Sequence, residues 1–196
     1  MSAETTLYMF IKNGVVSYVN GVNHTVNSVS LDSYRAFAST KLTLMENMIH
    51  QIHPGSSEAI FYSESIRLNR EIRWIDLELD GYTIADFYKI VSEYTKNTEL
   101  TRIINAHSHT GLYISPHIIA RAGNELEIIT RNHPFIFDDY LKYIIYDRND
   151  IWVSNIDAVA SQTPVFVVCG YSHLSDLLKK LEGCGYEVFA VKERSD

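Results

Sequence analysis

The chain has 196 residues, 46% of them hydrophobic and 21% charged, with Lys+Arg 17 against Asp+Glu 24 and a net charge of −7. That mix is expected of a chain that buries a core, read here as one domain over 1–196, and its acidic balance argues against non-specific nucleic-acid binding, which needs a basic surface. No basic segment followed by an apolar core opens the chain, no apolar run approaches the roughly 20 residues of a membrane span, and the two cysteines, Cys169 and Cys184, form no CxxC, so a cytoplasmic protein without disulfides or a membrane anchor is expected.

In chain order, Leu7–Ile11 and Val15–Val19 flank Lys12-Asn13-Gly14. Asn-Gly between two apolar runs signals a tight hairpin, because both residues tolerate positive φ. Gly21-Val-Asn-His24 follows, then a polar loop over Thr25–Ser30. Leu31-Asp32-Ser33 starts a predicted helix to about Ile52, with Phe37, Leu44, Met48 and Ile52 on one face and Pro54-Gly55 as its stop. Glu58–Ser63 reads as a strand centred on Ala59–Tyr62, with Glu64 at its end and Arg67 beyond. In Arg73–Leu79 the acids Asp76 and Glu78 alternate with apolar residues, a half-buried strand whose acids face water or a pocket.

Thr83 caps a predicted helix to about Lys96, and Leu100–Ala106 fits helix or strand. Ser115-Pro116 opens a short helix closed by Gly123, and Leu126–Thr130 alternates weakly as a strand. A helical stretch runs from Pro134 to about Ala160, with a break near Asp147–Asp150. Val165–Cys169 is a short apolar run, a strand buried on both faces. Gly170 then turns the chain, and His173 lies in that turn. Ser172 or Ser175 caps a helix whose apolar face is Leu174, Leu177, Leu178 and Leu181. Gly183-Cys184-Gly185 stops it, Tyr186–Val191 is a last strand, and 192–196 is a polar tail. The pattern is mixed α/β: a central mixed sheet with helices on both faces, an N-terminal hairpin, and both Gly-x-x-His turns at one sheet edge.

Gly-x-x-His therefore occurs twice, at His24 and His173, each time just after a strand and about 150 residues apart. One copy is weak, since short patterns recur by chance; two in the same strand-to-turn setting, where open sheets bind ligands, say more. Both histidines also fit as turn residues with satisfied hydrogen bonds. Glu64 fits as a solvated acid paired with Arg67 or Arg70, and Arg148 as a helix-surface partner of Asp147 or Asp150.

Four stretches together resemble the TraB/GumN/Tiki family, within the wider group of erythromycin esterases and haem-binding ChaN proteins. They are LYMFIKNGVVSYVNGVNH (Leu7–His24), AIFYSESIR with Glu64 and Arg67, Arg148-Asn149-Asp150-Ile151-Trp152 to Ile156, and Phe166–Leu174 with the final Gly185–Val188. The resemblance covers both ends of the chain and leaves 70–133 unmatched. The Tiki branch is described as metal-dependent peptidases using the two Gly-x-x-His histidines and a glutamate. The resemblance thus implies His24, Glu64 and His173 as metal ligands or near neighbours, with Arg148 and Asn149 supporting the site or holding a substrate carboxylate or carbonyl, and Arg67 beside the substrate. Two imidazoles and a carboxylate suit Zn²⁺, Mn²⁺ or Co²⁺, and a metal with an open position polarises a carbonyl and acidifies bound water. Without a metal, one histidine serves as general base and the other, or Glu64, as acid.

His107-Ser-His109 puts two imidazoles on one face if it is a strand, but as part of a polar loop rimming the pocket it contacts substrate instead. His50, His53, His117 and His133 read as surface or capping residues, and Cys169 as a buried core thiol. Ser172 beside His173 lacks the Gly-x-Ser-x-Gly of a nucleophile elbow. The expectation is a metal-assisted hydrolase of a peptide or ester bond, with His24, Glu64, His173 and Arg148 catalytic. Its alternative is a haem- or peptide-binding or inhibitor protein on the same fold. The partner is a peptide or small-molecule substrate, with neither nucleic acid nor membrane; homo-oligomer formation is left open.

Overall fold

The computed structural model describes residues 6–22, 28–46, 56–76 and 145–191, together with Lys96, Thr98, Glu99, Thr101 and Arg102. The chain clusters into two compact units, Met1–Glu78 with Ile145–Asp196, and Leu79–Ile144. In the second unit the backbone at Thr98, Glu99, Thr101 and Arg102 is helical. The elements predicted at Thr83–Lys96, apart from Lys96 itself, Ser115–Gly123, Leu126–Thr130 and from Pro134 to Ile144 lie outside the described residues.

The first unit is a mixed α/β layer around one six-stranded sheet of order β4-β3-β5-β2-β1-β6. Strands β1 (Leu7–Lys12) and β2 (Val15–Val22) form the expected hairpin, with Asn13 at φ 53° and Gly14 at φ 76°, the left-handed pair that a two-residue turn requires. Strands β2, β3 (Leu42–Met45), β4 (Glu71–Trp74) and β5 (Val165–Gly170) run parallel, while β1 pairs antiparallel with β2 and with β6 (Glu187–Ala190).

Two predicted elements change type. The helix from Leu31 ends at Ser39 (α1, Leu31–Ser39), because the Thr40 hydroxyl and N–H both bond back to the Phe37 carbonyl and the chain turns extended. Leu44, predicted on the helix face, belongs instead to β3, while Met48 and Ile52 lie outside the described residues. The segment read as a strand is helix α2 (Ser57–Arg67): Ser56 caps it by accepting the Ala59 N–H, and Ser57, Phe61 and Ser65 recur on its buried side. Arg70 then closes the C-terminal end of α1, donating to the Phe37 and Thr40 carbonyls with its guanidinium 4.1 Å from the centre of the Phe37 ring.

The C-terminal segment follows its prediction more closely. Helix α3 (Asp147–Ala160) begins at Asp147, where the break in the predicted helical stretch was expected. All six residues of β5 are buried. Tyr171–His173 form one 3₁₀ turn, and α4 (Leu174–Gly183) starts without a cap from Ser172 or Ser175. Gly185, at φ 86°, ends α4: Tyr186 N–H reaches the Leu181 carbonyl and Gly185 N–H that of Glu182, the paired closure for which glycine is favoured.

Alternation along β5 divides the core. Phe166 and Val168 face α1 and α2, joining Phe37 and Phe61, while Val165, Val167 and Cys169 face Trp152, Ile156, Leu174, Leu177 and Leu181 of α3 and α4. The chain thus leaves β2 and β3 toward one face of the sheet and leaves β5, which lies between them, toward the other. In open sheets such a divergence marks the carboxyl ends of the strands as a place for ligands. Gly21 of β2 lies beside Cys169 of β5 in register. A Cβ there would meet Leu174 Cδ1 at 2.2 Å and Cγ at 2.7 Å, so the glycine of the first Gly-x-x-His is what lets the turn carrying the second pack onto β2.

Candidate functional site

Four elements converge at these strand ends. Glu46 follows β3, Asp76 lies just beyond β4, His173 closes the 3₁₀ turn after β5, and Arg148 and Asn149 come from the first turn of α3. Glu46, Arg148, Asn149 and His173 are all buried. A buried charge is tolerated only when paired and hydrogen-bonded, and here the pairing is dense. Arg148 Nη2 donates to Glu46 Oε1 at 2.6 Å and to Asp76 Oδ2 at 2.6 Å, and Nε donates to Asp76 Oδ1 at 3.3 Å. The second Glu46 oxygen accepts the Gly170 backbone N–H at 2.7 Å, and Trp152 Nε1 donates to Asp76 Oδ1 at 2.6 Å. Burial works against the Arg148 guanidinium's charge, but Glu46 and Asp76 outweigh it and hold its pKa above the ordinary value.

His173 stacks on Trp152 with ring centres 4.2 Å apart. Its Nδ1 is 2.8 Å from Asn149 Oδ1, its Nε2 is 3.3 Å from Arg148 Nη1, and Nε2 is 3.7 Å from Glu46 Oε1. A guanidinium only donates, so Nε2 receives that hydrogen bond with its lone pair; Nδ1 then carries the proton and donates to Asn149. The imidazole is therefore held in its Nδ1–H form, with the Nε2 lone pair taken by Arg148 and Glu46 Oε1 3.7 Å from that nitrogen.

Of the residues singled out from the sequence, the structure brings together His173, Arg148 and Asn149. Arg148 pairs across the fold with Glu46 and Asp76 rather than forming the helix-surface pair considered as its alternative. Glu64 is not at a strand end: it lies on α2, on the opposite face of the sheet from His173, accepting Tyr34 Oη at 2.8 Å and Arg67 Nη2 at 2.6 Å. The Arg67 bond, with Tyr34 second, holds the Glu64 carboxyl below the usual range. Arg67 is committed to both Glu64 oxygens, which matches the surface pair weighed for this acid. His24, His107 and His109 lie outside the described residues. Cys169 is buried as expected, and burial, reinforced by Glu46, pushes its thiol up, so it is no nucleophile.

Sequence reasoning missed Glu46 and left Asp76 as a strand acid without a partner. The signal for Glu46 was there in Leu42-Thr43-Leu44-Met45-Glu46, an apolar run with an acid at its end, hidden by a helical spacing that ran through it. A hydroxyl-rich cleft of about 160 Å³ lies on the α1 side of the same edge, lined by Asn20, Gly21, Val22, Ser30, Ser33 and Ser57 among others.

A metal can be tested against these atoms. Bond lengths near 2.1 Å put two ligands of a tetrahedral ion roughly 3.4 Å apart, close to the 3.7 Å between His173 Nε2 and Glu46 Oε1, but both atoms already bond Arg148, Nε2 at 3.3 Å and Oε1 at 2.6 Å. The Nδ1–H held by an amide oxygen is also the support a ligating imidazole needs. This pair is what the described residues offer: among them, no three of His, Cys, Asp and Glu gather closely enough to hold an ion. No helix among the described residues is long and apolar enough to cross a membrane. The chain matches no known family model, no curated protein and no solved structure.

Proposed function

We propose that this chain is a hydrolase of peptide or ester bonds, of the kind its resemblance to the TraB/GumN/Tiki family implies, working in the cytoplasm, with His173 and Glu46 at its centre. The observation that carries the reading is a buried imidazole, protonated at Nδ1, whose Nε2 lies 3.7 Å from a buried carboxylate at the strand ends.

In the reaction, Arg148 Nη1 gives up its 3.3 Å bond to His173 Nε2. Water takes its place against Nε2. His173 removes a proton as the water oxygen attacks the acyl carbon, and the imidazolium formed is stabilised by Glu46 Oε1 in front and Asn149 Oδ1 behind. Nε2 then returns the proton to the departing alcohol or amine as the acyl bond breaks. Arg148, clamped by two carboxylates, keeps Glu46 in place. The hydroxyl-rich cleft takes the uncharged, hydrogen-bonding part of the substrate. A divalent metal (Mn²⁺, Zn²⁺ or Co²⁺) would be held by His173 Nε2 and Glu46 Oε1 only with Arg148 displaced from both atoms, and would then supply a polarised carbonyl and a more acidic water in place of the general-base route.

The test is turnover of ester and peptide libraries by the wild type and His173→Gln, before and after chelation and with Mn²⁺ restored. Hydrolysis lost in His173→Gln supports the reading, and chelation with Mn²⁺ rescue assigns the metal. A Soret band with haemin and no hydrolysis by the wild type replaces this reading with ligand binding.

A further inference from the structure

Asp176 has no place in the reaction above, yet its carboxylate is wired to the reacting histidine. We infer that Asp176 and Asn149 are positioning residues: Asp176 orients the Asn149 amide, and that amide places the His173 proton on Nδ1, leaving Nε2 basic.

The inference follows the hydrogen bonds from the outside in. Asp176 lies in the first turn of α4, where a negative charge suits the helix end. Its carboxylate only accepts, so the atom of Asn149 facing it at 2.9 Å must be Nδ2. The same Nδ2 is 3.2 Å from the His173 backbone carbonyl, a second group that only accepts. With Nδ2 fixed by two acceptors, Oδ1 is left to face the imidazole, at 2.8 Å from Nδ1. A carbonyl oxygen only accepts, so Nδ1 carries the proton. Turning the amide over would set Oδ1 against both a carboxylate and a carbonyl and lose two hydrogen bonds. From the other side, Arg148 offers Nε2 only N–H groups, so the two ends of the ring agree.

The arrangement also ties local structure to chemistry. Asn149 is fully buried in α3, and its side chain spans from α3 to the 3₁₀ turn and to α4. Helix packing and proton placement therefore depend on one amide. Asp176 is partly exposed and has Lys180 Nζ 3.8 Å away, so it can be changed with little harm to folding.

Only the catalytic consequence rests on the proposed hydrolysis; the proton's place can be read without turnover. In ¹⁵N NMR of the full chain, with His173 signals assigned by their loss in His173→Gln, the wild type should show a pyrrole-type Nδ1 and a pyridine-type Nε2. Asp176→Ala should move both nitrogens toward averaged shifts while the fold holds, and should lower kcat by about 10-fold with KM little changed, the scale of losing such a supporting bond. Lys180→Ala should leave the shifts alone. A wild-type proton on Nε2, or an Asp176→Ala protein with unchanged nitrogens, overturns the inference. The predicted shifts with no hydrolysis of any substrate would sink the hydrolase reading and leave the proton placement standing.

Discussion

Toward α1 and α2 the sheet presents Leu7, Phe166 and Val168, and the helices answer with Phe37 and Phe61. Phe166 packs edge-on against Phe37 at 5.5 Å and tilted against Phe61 at 4.8 Å. Toward α3 and α4 it presents Val165, Val167 and Cys169, and at the strand ends two carboxylates that α3 meets with Arg148. On the first face Glu64 stays at the surface with Arg67, while Glu58 of α2 is buried. On the second, three charges are buried, each with hydrogen bonds. Aromatic packing alone would have served both faces for stability, since buried ion networks contribute little net stabilisation over apolar packing. The linked Glu46–Arg148–Asp76 network lies at the strand ends of the second face.

The contrast can be sharpened by mutation. Arg148→Met should cost about 3–5 kcal/mol in urea unfolding, because it strands Glu46 and Asp76 without a counter-charge. Adding Glu46→Gln and Asp76→Asn should recover much of that loss. On the other face, Phe166→Ala should also cost about 3–5 kcal/mol, from lost burial and the cavity left, but no change of partner charge should recover it. If the triple variant is as unstable as Arg148→Met, the ionic account of the second face is wrong.

A smaller effect separates close approach from backbone conformation. Gly21→Ala should cost about 1–3 kcal/mol by forcing Leu174 to shift. Gly14→Ala has open space around its Cβ, so only the left-handed backbone penalises it, by about 1 kcal/mol. Equal losses at the two glycines would argue against the tight contact between the two Gly-x-x-His segments.

The smallest effect depends on pH. Lys12 donates to Asp157 at 2.7 Å, and this bond, opposed by burial and aided by the Tyr186 hydroxyl, lowers the Asp157 pKa from its ordinary 3.8. A depressed folded-state value means the pair's stabilisation is present above the unfolded pKa and is lost as pH falls through the folded one. Lys12→Met should therefore be less stable than wild type by under about 1 kcal/mol at neutral pH. The two proteins should converge in acid; a gap that persists there would assign the effect to Lys12 packing on the Tyr186 ring instead.

Much of this fold could be read from the residues. Asn13-Gly14 set the hairpin, the unbroken apolar run of β5 marked a strand covered on both faces, and Gly185 ended α4. The errors came where two periodicities overlap. Phe37, Leu44, Met48 and Ile52 keep helical spacing, which masked β3, although Thr40 and Thr43 are β-branched residues that suit a strand better. Ala59-Ile60-Phe61-Tyr62 looked like a strand, although Pro54-Gly55-Ser56 before it, with Glu58 in the first turn, spell a helix start. These two misreadings put Glu64 at a strand end and hid Glu46 behind a helix. His173, Arg148 and Asn149 were readable because their motifs are local. Glu46 and Asp76 were not, because their roles depend on strand order, which joins β3 to β5 across more than a hundred residues of chain.

The account turns on which glutamate belongs to the reacting centre. The direct measurement is kcat/KM of Glu46→Gln and Glu64→Gln on one hydrolysed ester or peptide, with both variants checked for folding by circular dichroism. Glu46→Gln should lose at least about 100-fold, the lower range for a group that stabilises proton transfer, and Glu64→Gln should match the wild type. Full activity in Glu46→Gln, or a loss confined to Glu64→Gln, would contradict it.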